Sequence, residues 1–311
     1  MNRNSIVIGI DTSAYTTSIA AIDTNGNVLL DLKRTLDVPL GTRGLRQSDA
    51  RIQHKQNLAE MRFELERHIT TEEIGAIAVS DKPRPIEASY MPVFMDGVEF
   101  GAKLANQLNV PLYHFSHQEG HIEAIKHFST ARQANELLCF HLSGGTSELL
   151  LVQNGVIQIV GGSKDLAFGQ LIDRVGVSLG MGFPAGKQMD DMAYGQQNNT
   201  NWLKPIPIIG LEFNLSGIET QCQRRIQEGV PSEELVPELF LRISKCLCKV
   251  ADVACKRYGL SDVLMVGGVS GSQTVRKAIS DDKKNYKIIF GDFSSDNAVG
   301  IALLGGTKTW Q

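Results

Sequence analysis

His117 and His121 stand four residues apart in the run His117-Gln118-Glu119-Gly120-His121. On a helix that spacing puts both imidazoles on one face, as two ligands to a single metal require. A zinc peptidase needs its glutamate directly after the first histidine. Here Gln118 holds that place and Glu119 falls away from the shared face, so peptide hydrolysis is disfavoured. Two imidazoles do not complete a metal shell, so further ligands must come from elsewhere in the chain. The plain alternative is a pair of histidines that share a face by accident.

Two glycine-rich runs suggest anion chemistry. Ser143-Gly144-Gly145-Thr146-Ser147 lies between apolar stretches. Glycines let a ligand approach the backbone, and exposed amides can cradle a phosphate; the alternative is a tight hairpin turn. Gly267-Gly268-Val269-Ser270-Gly271-Ser272 follows the apolar VLMV and precedes a helical pattern. A strand, a glycine turn and a helix start make a natural nucleotide edge. Neither GxGxxG nor GxxxxGK[ST] occurs, so dinucleotide and P-loop binding are unsupported. Asp173, with Gly186 and Asp190, offers carboxylates for ribose hydroxyls, although a carboxylate on a helix is often only solvated. Ser295-Asp296-Asn297 reads either as the cap of the last helix or as a carboxylate ligand. The run GTRGLRQSDARIQHK, residues 41–55, carries Arg43, Arg46, Arg51, His54 and Lys55. It reads as a basic loop that contacts phosphates or as a solvated approach to a helix. No GxSxG elbow is present, and no cysteine has an activating context.

The elements around these residues alternate. Ile6 to Ile10, a polar loop, Ile19 to Asp23 and an Asn25-Gly26 turn form a meander. Leu137 to Leu142, the SGGTS loop, Glu148 to Gln153 and an Asn154-Gly155 turn repeat that layout. The echo suggests an internal duplication. Helical patterns are expected at residues 56–69, 94–109, 117–128, 166–181, 187–196, 237–259 and 273–281, with Gly259 ending the 237–259 helix. Buried strands are expected at residues 74–80, 111–116, 263–266 and 288–293, with a last helix to Trp310. Residues 200–217, with two prolines, are the expected irregular excursion. Strands alternating with helices imply α/β layers.

The 311 residues suggest two domains at about 150 residues each. A net charge of −3 excludes a strongly basic nucleic-acid coat while leaving room for a local basic patch. The five cysteines include no CxxC pair, which argues against a disulfide framework or zinc ribbon and for a reducing cytoplasm. The first apolar run is too short for a secretory leader, and no run of 18 apolar residues exists to span a membrane.

From IGIDTS to SDNAVGIALLGG, the motifs resemble, in order, those of the tRNA threonylcarbamoyladenosine transferase (TsaD) family, formerly called O-sialoglycoprotein endopeptidase or glycoprotease. The paired hairpins resemble the actin/hexokinase/Hsp70-type ATPase fold. The resemblance implies a two-lobed α/β fold with a cleft, one lobe formed by residues 1–133 plus 295–311 and the other by residues 134–294. The family's metal histidines match His117 and His121, and its third ligand matches Asp296. Its nucleotide loop matches His141, Leu142, Ser143, Gly144 and Gly145. A metal-ligating tyrosine of some branches matches His141, which is expected to join the shell. Asp173, Gly186, Asp190 and Ser272 match nucleotide-pocket positions, and FNLSGIET matches the family's FSFSGLKT. The chain departs from the family at Tyr15 and Thr16 in the first loop, and at Thr146, Glu219 and Ser272.

The resemblance implies one divalent metal, iron or zinc, and an adenine nucleotide or threonylcarbamoyl-adenylate as ligand. It implies acyl transfer to N6 of adenosine 37 in a tRNA anticodon loop, with tRNA contact centred on residues 41–55. The implied protein partners are an inactive paralogue and a small ATPase subunit, in the cytoplasm and away from membranes. No protein nucleophile is required, and Asp11 is the candidate catalytic carboxylate. The departures motivate two alternatives: a metal- and nucleotide-binding paralogue acting on another acceptor, or a non-enzymatic partner of a tRNA-modification complex.

Overall fold

The computed structural model describes residues 5–13, 15–39, 45–196, 200–281, 284–291 and 298–310. Contacts divide them into two compact units: residues up to Phe128 with those from Ala298 onward, and residues Ser129 to Gly291. The expected ligand Asp296 and its neighbours Ser295 and Asn297 lie outside the described residues, as does Arg43.

The first unit contains β1 (Ile6–Ser13), β2 (Thr16–Asp23), β3 (Val28–Thr35), α1 (Gln47–His68), β4 (Ile74–Lys82), α2 (Phe94–Leu108), β5 (Leu112–Ser116) and α3 (His117–His127). The second contains β6 (Glu136–Leu142), β7 (Ser147–Gln153), β8 (Val156–Ser163), α4 (Phe168–Ser178), α5 (Gly186–Ala193), β9 (Ile208–Ile209), β10 (Glu212–Phe213), α6 (Ser216–Gln227), α7 (Ser232–Tyr258), β11 (Asp262–Val266), α8 (Gln273–Ser280) and β12 (Lys287–Phe290). The last helix, α9 (Val299–Thr309), belongs to the first unit.

The first sheet runs β3-β2-β1-β4-β5, and the second contains β8-β7-β6-β11-β12 in the same relative order. In each, the opening meander is antiparallel and the last two strands join in parallel. The short β10 and β9 extend the second sheet beyond β8, so part of the stretch expected to be irregular is an edge hairpin. Both meanders turn at an Asn-Gly pair, where Gly26 and Gly155 take φ of 80° and 79°.

Strand alternation decides what covers each face of the first sheet. Ile10 and Ile77 meet α2 at Gly101, while Val7 and Ala78 meet α9 at Gly305. α9 also crosses α3 almost backbone to backbone: a Cβ on Gly300 would lie 1.8 Å from the Gly120 carbonyl oxygen. In the second unit, Phe168, Leu171 and Val175 of α4 and Leu235, Leu239 and Ile243 of α7 belong to one buried cluster with Phe140 and Leu149 of the sheet.

α1 begins earlier than expected, so the basic loop reading of residues 41–55 is corrected over Gln47 to Lys55. Its buried face is Ala50, His54, Leu58, Met61 and Leu65, with regular helical spacing. The first turns bury a small residue and a histidine, so their aliphatic pattern is too weak to reveal a helix in the sequence.

Candidate active site

In the first unit, the C-terminal ends of β1 and β4 and the start of α3 meet around Asp11. Its carboxylate is fully buried. Oδ1 accepts a hydrogen bond from Ser80 Oγ and lies 3.0 Å from His117 Nδ1. Oδ2 is buried with no hydrogen-bond partner among the described residues. The carboxylate makes His117 Nδ1 the protonated nitrogen, which leaves a lone pair on Nε2. That Nε2 lies 2.9 Å from His121 Nε2. Two imidazole nitrogens thus converge on one point under an orienting carboxylate.

α3 is held so that this face is presented. Ser116 accepts from the Glu119 amide at 3.2 Å, and Glu119 Oε2 accepts from the Ser116 amide at 2.7 Å. This capping box contributes about 1 kcal/mol to the helix. It also turns the Glu119 carboxylate to the helix start, where it cannot serve as the base of a peptidase.

The chemistry of this donor set fits a divalent cation: two imidazole nitrogens, and a buried carboxylate with an oxygen that has no hydrogen-bond partner among the described residues. Among the described residues no cluster of three or more histidine, cysteine or carboxylate side chains is arranged to hold a metal ion. Ser80 was missed in sequence reasoning, though a polar residue closing the buried run IGAIAVS was a usable signal.

In the second unit, a ring of contacts surrounds the C-terminal ends of β6 and β11. His141 is buried in β6, in register with Glu148 and Val266. The next turn is closed on itself: the Ser143 amide donates to Thr146 O at 2.8 Å, and Ser143 Oγ accepts from the Thr146 amide at 3.0 Å. Gly145 N also leans on Ser143 Oγ, at 3.3 Å. Gly144 and Gly145 are exposed, and a Cβ on either would meet open space. The N-terminus of α4 packs against this turn; a Cβ on Gly169 would lie 2.6 Å from Ser143 O. Gly169 was another miss, signalled by a glycine at a helix start.

Asp173, on α4, accepts the Ala185 amide at 2.8 Å and so pins the turn before Gly186. Burial pushes its carboxyl above the usual range, against the opposing effect of the Ala185 and Gly186 amides. Asp190, on α5, caps α8: Ser272 Oγ donates to Oδ1 at 2.6 Å, the Gln273 amide to Oδ2 at 2.8 Å and the Thr274 amide to Oδ1 at 3.0 Å. The glycine turn before α8 closes the ring: Gly267 has φ of 88°, and a Cβ there would lie 2.4 Å from Leu142 O. The structure therefore brings His141 to Gly145, Asp173, Gly186, Asp190 and Ser272 into one continuous set of contacts. Its open part is a cradle of exposed glycine backbone at 144–145, which suits an anion, whereas the start of α8 is already taken by the Asp190 carboxylate.

Within the 41–55 stretch, Arg51, His54 and Lys55 have partners in the first unit. Arg51 Nε and Nη2 lie 2.9 and 3.0 Å from the buried Asp96 carboxylate. His54 Nδ1 is 2.8 Å from Thr17 Oγ1, and burial lowers the pKa of its ring. The Glu219 carboxylate, one of the positions where the sequence departs from the family's pattern, lies 3.2 Å from Arg174 Nη1. The five cysteines are buried and none forms a disulfide, and burial pushes the Cys222 and Cys246 thiols up to about 12. Neither of these two is a nucleophile at neutral pH. No helix among the described residues is long and apolar enough to cross a membrane.

Comparison with known proteins gives concordant results. The sequence profile of the tRNA N6-adenosine threonylcarbamoyltransferase (TsaD) family matches residues 41–303. A tRNA N6-adenosine threonylcarbamoyltransferase of Sulfurihydrogenibium sp. (strain YO3AOP1) is 30% identical over 311 residues, covering 96% of this chain and 89% of the relative. The structure of (R)-2-hydroxyglutaryl-CoA dehydratase component A from Acidaminococcus fermentans superposes with a TM-score of 0.60 at 13% identity, over 98% of this chain and 99% of the other. A ROK family glucokinase from Streptomyces griseus, in complex with glucose and AMPPNP, gives a TM-score of 0.52 at 11% identity, covering 96% of this chain and 98% of the kinase. At such identities the structures share the fold alone, which is α/β of the actin/hexokinase type.

Proposed function

The chain belongs to the tRNA N6-adenosine threonylcarbamoyltransferase family, and we propose that His117 and His121 form the protein half of a divalent-metal site in this member, with Asp11 as their orienting carboxylate. The reaction moves a threonylcarbamoyl group to N6 of an adenosine in tRNA. The observation that carries the metal reading is the facing of the two Nε2 atoms at 2.9 Å beneath a buried carboxylate. Asp296, matched through the resemblance, is the proposed third ligand, and His141 a proposed fourth.

When bound, a divalent metal supplies Lewis acidity that polarises the acyl carbonyl or steadies the adenylate phosphate. Iron and zinc both suit imidazole with carboxylate. Asp11 fixes the tautomer and direction of His117, a positioning role rather than a nucleophilic one. The glycine turns at 143–145 and 267–271 admit the phosphate of threonylcarbamoyl-adenylate to the backbone. Asp173 and Asp190 shape the ribose side of the cradle through the turns that they pin.

Chemically, the adenosine N6 bonds to the carbamoyl carbon while the bond from that carbon to the phosphate oxygen breaks. AMP departs, and N6 gives up one proton. No protein nucleophile is needed, in keeping with the buried thiols of Cys222 and Cys246, which burial keeps protonated. The substrate is a tRNA anticodon loop, and an inactive paralogue and a small ATPase are the proposed partners.

Purified protein loaded with iron or zinc, given threonylcarbamoyl-adenylate and a tRNA transcript, should yield the modified adenosine by nucleoside mass spectrometry. His121→Ala should lose both bound metal and product. Product formed at the wild-type rate by the metal-free variant would sink the proposal.

A further inference from the structure

A cavity of about 280 Å³ opens between α7 and the segment leading into β12. Lys245, Lys249, Asp252, Lys284, Asn285 and Tyr286 line it. Lys245 and Lys249 are exposed and one turn apart on α7. Like charges at that spacing destabilise a helix. Neither lysine makes an ion pair among the described residues. Asp252, the carboxylate on this wall, is already held by Lys256 Nζ at 2.7 Å. Lys284 Nζ donates to the Ile279 carbonyl, which fixes its ammonium at the cavity without cancelling its charge. Tyr286 Oη donates to Cys248 O at 2.9 Å and stiffens the opposite wall. The result is a concave site with excess positive charge in a chain whose net charge is −3.

The cavity is separate from the glycine cradle. β11 and β12 start together, with Asp262 paired to Lys287. The cavity therefore lies at the N-terminal end of these strands, and the Gly267 turn lies at their C-terminal end. Five residues of β11 separate the two, a span of roughly 15 Å.

We propose that the Lys245–Lys249–Lys284 cavity is a phosphate-binding site that seats a backbone phosphodiester of the RNA substrate. Lysine ammonium groups bind phosphate as point charges and need no fixed fork geometry. A macromolecular anion reaches sites on both ends of a sheet, whereas a single nucleotide does not. The inference rests on the reading of the chain as a tRNA-modifying enzyme. Free phosphate presents the same group, so the test separates the two sources.

Binding of full-length protein to a fluorescent tRNA transcript is measured by anisotropy across a salt series, for wild type and for Lys245→Gln/Lys249→Gln. The double variant should bind about three- to tenfold more weakly at low salt, and its log–log salt slope should shrink by about 1 or more. Lys33→Gln/Lys103→Gln, which removes the same charge from the other unit, should leave the slope unchanged. Calorimetric titration with inorganic phosphate at fixed ionic strength is the second arm. Wild-type affinity and slope in the double variant overturn the proposal. If phosphate binding is lost in that variant while tRNA binding is untouched, the cavity takes a free phosphate and the RNA assignment falls. If wild type binds no tRNA at low salt, the tRNA reading itself falls and takes the RNA assignment with it.

Discussion

The five-strand frames of the two sheets share strand order and direction, yet the ends of their first strands do opposite things. At the end of β1, Asp11, Thr12 and Ser13 are buried, and the connections are made by side chains. Asp11 takes Ser80 and His117, and Thr12 Oγ1 donates to Val93 O at 2.9 Å. At the end of β6, the corresponding loop has no side chain beyond Ser143 until Thr146, and its glycines face open space. A repeated frame thus offers equivalent strand ends, and the residues on the loops decide their chemistry. Carboxylate and imidazole suit a cation; bare backbone suits an anion.

Glycine marks the same contrast. In the first unit it brings helices together, and at Gly144 and Gly145 of the cradle it keeps space clear. Gly300→Ala should be the most damaging single change considered, because its Cβ would meet the Gly120 carbonyl at 1.8 Å and nothing there is a flexible side-chain end. A loss of about 3 kcal/mol is expected, at the upper end for overpacking, read as a lowered Tm and denaturant midpoint. A wild-type Tm would show that α3 and α9 can separate, and would weaken the claim that their crossing holds the HxxxH face. Asp11→Asn should come next. It keeps the shape but loses the charge that orients His117, and metal affinity should fall about 10- to 100-fold in chelator competition. Unchanged affinity would assign Asp11 to packing alone.

The His117–His121 face was legible because helical periodicity alone aligns residues four apart, and both meanders announced themselves through Asn-Gly turns. Gly259 ended α7 as expected, in the left-handed region at φ 67°. The start of α1 was hidden, since its buried face spends early positions on Ala50 and His54 rather than on aliphatic residues. Partner choice was also hidden. The sequence identifies Asp190 and Ser272 as polar groups of the same pocket, but their bond spans 82 positions and depends on how α5 and α8 pack. For the same reason Arg51 and Glu219 could be named from the sequence but not paired with Asp96 and Arg174.

The cradle side of the comparison is sharpened by a substitution that should spare folding. Gly144→Ala adds a methyl into open space at a residue without positive φ, so Tm should not move. The same methyl would stand where a phosphate must approach the backbone, and adenylate affinity should drop roughly tenfold, about 1.4 kcal/mol. Calorimetry of nucleotide binding beside thermal unfolding checks both halves. A lowered Tm with intact affinity would make the glycine structural.

Asp173→Asn carries the smallest effect and the most informative sign. Burial raises the native carboxyl pKa above its unfolded value. The native state then holds the proton more tightly, so this group's contribution to stability is full below the unfolded pKa and is lost as pH rises through the native one. At neutral pH the ionised, half-buried carboxylate is therefore a cost, despite the bond to the Ala185 amide. Asparagine keeps an oxygen for that amide and carries no charge. The variant should be slightly more stable than wild type at pH 7, by no more than about 0.5 kcal/mol, and the gain should vanish as the pH falls below the carboxylate range. If Asp173 serves the nucleotide, the stabilised variant should also bind adenylate more weakly, because a residue kept for ligand binding costs the fold something. Lower stability at pH 7 with unchanged affinity would instead make Asp173 a pin for the Ala185 turn and leave the ribose side of the cradle to other groups.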